Sequence, residues 1–266
     1  WYWNRYPGAR CDVQSMEYSY SFDEALQQNW SWTERYAAQP EILDYANHVA
    51  DRFALRPHIR FDTLADSMTF LEDCSLWRTK TAKGDVFYSR FCIMATGCLS
   101  STNLPDFEGR DDFKGEAYHT GSWPHEPVDF TGKRVGIIGT GSSSIQSIPI
   151  IAASCAHLTV FQRTPNYSIP AHNGPIDEDY VQAIKQQYGD FRALNQQMFA
   201  GFGAHQSRWD ASVFDLDESG RTQRFEARWQ EGGLGFSSSF SDTGSNLEAN
   251  QIAAEFVRNK IRGTVT

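Results

Sequence analysis

Gly139-Thr140-Gly141-Ser142-Ser143-Ser144 follows directly on the apolar stretch Arg134-Val135-Gly136-Ile137-Ile138. A strand running into a glycine-rich turn that opens a helix suits the binding of a diphosphate. Gly139 permits the tight turn, and Gly141 lets backbone N–H groups approach the anion. The helix start adds unsatisfied donors and the positive end of its dipole. Ser144 stands where glycine or alanine is usual, and it is still small. The next predicted strand, Leu158-Thr159-Val160-Phe161-Gln162, ends at Arg163-Thr164, with Arg163 lying 24 residues beyond Gly139. A site for a bare ribose carries Asp or Glu there. A guanidinium instead matches a 2′-phosphate through charge-assisted bonds, which predicts NADP over NAD. The plainer alternative is a glycine turn in an ordinary α/β domain with Arg163 solvated. The match of strand, helix and arginine at this spacing weighs against it.

Two further stretches carry chemistry-bearing side chains. Phe113-Lys114-Gly115-Glu116-Ala117-Tyr118-His119-Thr120-Gly121-Ser122-Trp123-Pro124 is a loop with aromatic anchors and one imidazole. No acid or thiol lies at metal-ligand spacing from His119, so taken alone it reads as a structural histidine. Trp1-Tyr2-Trp3-Asn4-Arg5-Tyr6-Pro7-Gly8-Ala9-Arg10-Cys11-Asp12 is dense in aromatics and places two arginines near a carboxylate. It suits the lining of a pocket for an anionic aromatic cofactor, and equally a core cluster beside a surface ion pair.

The elements that must position these groups follow from periodicity and turn signals. Helices are expected over residues 23–36 and 40–54. Short strands at 58–63, 67–71, 76–81 and 85–88 form an antiparallel meander with a turn at Lys83-Gly84-Asp85. The apolar run at residues 90–95 reads as a buried strand, and 100–132 as a long loop. The strand at 134–138 leads to a helix at 142–154 and a strand at 157–162. Residues 176–231 are expected to be mainly helical, interrupted at 201–207. The Gly/Ser-rich stretch 232–245 is expected to be mobile or lid-like, and a last helix covers 246–262.

The chain has 266 residues, enough for one large domain or two ordinary ones, and its 40% apolar content supports a packed core. A net charge of −9 argues against nonspecific nucleic-acid binding. No apolar run is long enough for a spanning helix. The five cysteines are odd in number and include no CxxC pair, so they read as reduced thiols of a cytoplasmic protein, with no metal site and no disulfide framework. The opening at Trp1 and the stop after a helical pattern at Thr266 lead us to expect a piece of a longer protein.

Taken together, these motifs resemble the Baeyer–Villiger monooxygenases, closest to the phenylacetone and steroid monooxygenase branch. Phe113, Gly115, His119, Trp123 and Pro124 match the family fingerprint FxGxxxHxxxWP. The WYWNRYPGARCD opening, Ala95-Thr96-Gly97, the glycine turn and the FQRTP strand end all fall in family order. The resemblance implies an α/β flavoprotein with Rossmann-like FAD and NADP domains, incomplete at both ends. Residues 1–123 would be part of the FAD domain, carrying the meander. Residues 124–266 would be the NADP domain with a helical insertion. Trp1, Asp12 and Tyr18 resemble FAD contacts, while Arg10 and Asp12 lie where the nicotinamide end meets the flavin. Asp12 would hold a catalytic arginine that the family carries beyond this chain. Gly139, Thr140, Gly141, Ser142, Ser143, Ser144 and Gln146 resemble the NADP diphosphate loop, and Arg163 with Thr164 the 2′-phosphate clamp. His119 and Trp123 resemble a hinge signature with a conformational role. The implied reaction uses NADPH and dioxygen to insert oxygen beside the carbonyl of a small ketone, with no nucleic-acid or membrane partner. Without the arginine and the first glycine fingerprint, this stretch by itself is expected to be inactive. Two readings compete: a flavin monooxygenase that oxidises nitrogen or sulfur, and a non-catalytic NADP-binding module.

Overall fold

The computed structural model describes residues 1–198, 200–203 and 209–265. They cluster into two compact units, one made of Asp44–Ser122 and the other of Trp1–Leu43 with Trp123–Thr266. One limit falls between Ser122 and Trp123. Residues 1–43, expected to belong with the meander, cluster with the C-terminal part. Specific bonds tie them there: Arg35 N donates to the Gly174 carbonyl, Ile176 N to that of Thr33, and the Tyr180 hydroxyl to Gln14.

The unit Asp44–Ser122 is built on an antiparallel meander of β1 (Ala65–Leu71), β2 (Leu76–Thr81) and β3 (Val86–Ser89). Phe70 faces Trp77 across the first pair, with ring centroids 5.4 Å apart, and Thr79 faces Phe87 across the second. Such cross-strand pairs are the stabilising units of a sheet. Gly84, at φ +94°, closes the second turn where the sequence places it. Two expected strands do not form. Residues 58–63 begin in a 3-10 turn, Arg56–His58, seeded by Pro57, and Asp62 at φ +51° prevents an extended run. Residues 90–95 are apolar but have no strand partner among the described residues, and Ile93 is 90% exposed. Apolarity favours a buried strand only where neighbouring strands supply the ladder.

In the other unit, α1 (Glu24–Asn29) starts at Asp23, whose carboxylate accepts from Leu26 N. The helix expected over 23–36 stops at Asn29. Lys185 Nζ donates to the carbonyls of Gln28 and Trp30, and the chain then runs on to bridge Glu34 with Pro175. The limit between Leu43 and Asp44 falls inside helix α2, Gln39–Arg52. The β–α–β expected around the glycine turn is present as β4 (Arg134–Ile138), α3 (Ser142–Ala152) and β5 (His157–Phe161), with the strands parallel and Ile138 opposite Phe161.

The insertion holds α4 (Glu178–Gln186), α5 (Tyr188–Gln197), α6 (Glu218–Glu231) and α7 (Leu247–Thr264). Asp177, Asp217 and Asn246 cap three of these helices through their side chains. Of the interruption expected at 201–207, Gly201 and Gly203 take positive φ, and residues 204–207 lie outside the described residues. The stretch 232–245, expected to be mobile or lid-like, packs its phenylalanines into the core. Gly232 and Gly233, at φ +73° and +70°, turn the chain back so that Phe236 and Phe240 enter the core. There they pack on Phe225 of α6, with Ala249, Ala253 and Val257 of α7 completing the cluster.

Candidate functional site

The glycine turn has the geometry its sequence requires. Gly139 takes φ +101°, a conformation closed to most side chains. Its N–H donates to the Phe161 carbonyl at 2.8 Å, so the ladder between β4 and β5 continues into the turn. A side chain on Gly141 would meet nothing within 4 Å, so the face above the turn is open. No side chain caps α3, and its first turn contains no acid. The helix start therefore offers uncapped N–H donors and no competing negative charge. The atom nearest the missing Gly139 side chain is Ser144 Oγ at 3.9 Å, so serine at the third position leaves helix and strand closely packed.

Thr140, Gly141 and Ser142 form one wall of a cavity of about 650 Å³. Arg10, Asp12 and Tyr36 form another, and residues of the 166–171 loop and of the insertion, among them Phe236 and Val257, form the rest. Arg163 and Thr164 are exposed just beyond β5 and are not among the lining residues. The strand end that carries them is nonetheless bonded to the glycine turn through Phe161. Asn166, which the sequence reading did not select, repeats this link: its Nδ2 donates to the Thr140 carbonyl at 3.2 Å.

Gln146, expected at the diphosphate loop, turns its amide toward the opening segment. Oε1 accepts from the Tyr6 hydroxyl at 2.9 Å and from Arg10 N at 3.3 Å. Nε2 donates to the Arg10 carbonyl at 3.2 Å and to Asp12 Oδ1 at 2.9 Å. This fixes Asp12 at the edge of the cavity. Gly8 makes the close approach possible: at φ +79°, a side chain there would run into the Gln146 carbonyl of α3. Replacing Gly8 with alanine is expected to destabilise the protein by more than the roughly 1–2 kcal/mol that a left-handed residue costs, because the helix backbone cannot yield. Thermal unfolding of the variant measures this.

Arg10 is the one lysine or arginine among the described residues that line the cavity. Its Nη1 donates to Glu34 Oε2 at 2.8 Å and to the Tyr36 carbonyl at 3.1 Å. Asn173 donates to the same Glu34 oxygen and accepts from Tyr36 N. The Arg10 hydrogen bond holds the Glu34 carboxyl below the usual range. Burial pushes the Cys11 thiol, also on the cavity wall, up to about 11. Glu34 and Asn173 lack a motif of their own. Chain distance hides their convergence on Arg10, and the Pro/Asn/Gly-rich run 165–175 was the only clue to the strap that carries Asn173.

The remaining predicted residues fall elsewhere. Trp1 and Tyr18 meet edge to face, with centroids 6.0 Å apart, and Trp1 Nε1 donates to the Tyr18 hydroxyl. The signature crosses the limit between the units. Phe113, Gly115 and His119 belong to Asp44–Ser122, where His119 Nδ1 accepts from Gly121 N at 3.0 Å. Trp123 and Pro124 belong to the other unit, where Trp123 is buried beside Phe130.

Comparison with known proteins adds three findings. Residues 15–212 match the model of the pyridine nucleotide-disulphide oxidoreductase family. Over its whole length the chain is 42% identical to a Baeyer-Villiger monooxygenase of Pseudooceanicola batsensis, and 39% identical to the phenazine N-monooxygenase PhzNO1 of Lysobacter antibioticus. It spans about half the length of these curated relatives, 48% and 50% respectively. Among solved structures, an oxidised steroid monooxygenase bound to NADP is 50% identical, with a TM-score of 0.92 over all of this chain and 50% of that one. The α/β fold and the resemblance read from the sequence both stand in these matches.

Proposed function

We propose, from the premise that the chain belongs to the pyridine nucleotide-disulphide oxidoreductase family, that it supplies the NADP site and part of the FAD site of a Baeyer–Villiger-type flavin monooxygenase. Such an enzyme uses NADPH and dioxygen to insert oxygen beside a ketone carbonyl. The observation that carries this reading is the bond from Gly139 N to the Phe161 carbonyl, which holds the strand end bearing Arg163 alongside the uncapped start of α3.

The residues present fit a dinucleotide. The space above Gly141 is open, and the first turn of α3 lacks acids. In this reading the amides of Ser142, Ser143 and Ser144 bind the diphosphate, with Gly139 and Thr140 shaping the turn. Arg163 and Thr164 bind the 2′-phosphate. Arg10 adds positive charge within the cavity, and Asp12, fixed by Gln146, presents a carboxylate to pair with a cation near the nicotinamide end. Residues 124–266 then form the NADP side with its helical insertion. Residues 1–123 contribute to the FAD side, with Trp1 and Tyr18 as FAD contacts. Phe113, Gly115, His119, Trp123 and Pro124 connect the two. FAD, when bound and reduced by NADPH, supplies the oxygen-activating chemistry; the protein orients it and excludes water.

A second reading, oxidation of nitrogen, is favoured by the 39% identity to the phenazine N-monooxygenase. Turnover with NADPH separates the two. For the whole enzyme that contains this chain, loaded with FAD, the proposal expects an ester from phenylacetone; formation only of the N-oxide from a tertiary amine overturns it.

A further inference from the structure

We infer that Glu34, braced by Asn173, is a positioning residue that holds Arg10 in the one orientation in which its guanidinium serves the bound dinucleotide. The inference rests on the proposed function and adds residues that no motif assigns.

Arg10 is the sole Lys or Arg among the described lining residues, so its placement decides where the cavity lining offers a positive charge. A long arginine side chain left to itself samples many rotamers, and a fixed geometry requires partners. Here the partners are layered. Glu34 Oε2 accepts from Arg10 Nη1 at 2.8 Å, and the Tyr36 carbonyl accepts from the same nitrogen at 3.1 Å. Asn173 holds both partners at once, because its Nδ2 donates to Glu34 Oε2 and its Oδ1 accepts from Tyr36 N at 2.9 Å. The backbone on each side is pinned as well. Arg10 bridges Ala38, Glu34 bridges Pro175, and Arg35 N donates to the Gly174 carbonyl. The clamp thus joins the opening segment, the 30–38 stretch and the strap carrying Asn173.

Glu34 also partly neutralises Arg10, which would weaken attraction for an anion. Orientation and charge therefore predict opposite outcomes, and substitution distinguishes them. The probe is NADP+ itself, titrated calorimetrically into the protein. Glu34→Gln keeps an oxygen that accepts from Arg10 and should bind within about threefold of the unsubstituted protein. Glu34→Ala removes the brace and should bind about tenfold more weakly, as expected when a charge-assisted contact loses preorganisation. In an Arg10→Ala background, Glu34→Ala should have no further effect, which a merely structural role would not produce. Asn173→Ala, which leaves both charges in place, should weaken binding in the same direction and stands in if Glu34→Ala fails to fold. Tighter binding by both Glu34 variants, or unchanged binding by Glu34→Ala and Asn173→Ala, overturns the inference while the dinucleotide reading stands. Failure of the unsubstituted protein to bind NADP+ overturns both.

Discussion

Replacing Arg163 with alanine is expected to weaken NADP+ binding by about 1.5–3 kcal/mol, the range for hydrogen bonds to a charged group. NAD+ binding should change far less, because NAD+ lacks the phosphate that the guanidinium would clasp. Arg163 is exposed and does not line the cavity, so its loss should leave the fold and the glycine turn intact. Arg163→Lys keeps the charge and loses the planar fork, and should fall between the two. Calorimetric titration with both nucleotides measures the difference. Equal losses for NADP+ and NAD+ would remove the 2′-phosphate assignment and leave a site for dinucleotides in general.

The second large effect is on stability. Phe225 is 2% exposed and packs on Phe236, Phe240 and Phe256 at centroid distances of 5.6, 5.2 and 5.3 Å. Phe225→Ala is expected to cost about 3–5 kcal/mol, combining lost burial with the cavity left behind. Because Phe236, Ala253 and Val257 belong both to this cluster and to the cavity wall, nucleotide binding should weaken as well. Phe113→Ala, at a position 65% exposed, should stay within about 0.5 kcal/mol and serves as the control. Denaturant unfolding of the two variants tests this. A loss below about 1 kcal/mol for Phe225→Ala would mean that this cluster does not behave as a packed core.

These expectations show where the sequence was legible. The β4–α3–β5 stretch could be read almost to the residue because its determinants are local. Glycines sit at the turn, an apolar run precedes them, and an uncapped helix start follows. Three of the four expected meander strands were legible from alternation and Gly84, while 58–63 did not form a strand. Errors arose where distant partners decide the structure. Residues 90–95 have the composition of a buried strand but no neighbour among the described residues to pair with. Residues 30–36 were read as continuing the first helix, yet Lys185, from a later helix, holds the end of α1. The site divides in the same way. The glycine turn announces itself by spacing, and Arg163 is proposed on the same ground, whereas the clamp on Arg10 joins residues 24 and 139 positions apart in its two side-chain bonds and has no signature along the chain. Gln146 was selected by its place in the loop; it lines the cavity, and its amide holds Tyr6, Arg10 and Asp12.

A structure of the protein crystallised with NADP+ tests the central claim most directly. The diphosphate oxygens should lie about 3 Å from the amide nitrogens of Ser142 and Ser143, with the Arg163 guanidinium against the 2′-phosphate. A dinucleotide bound away from the start of α3, or an Arg163 side chain directed away from the ribose, would contradict it.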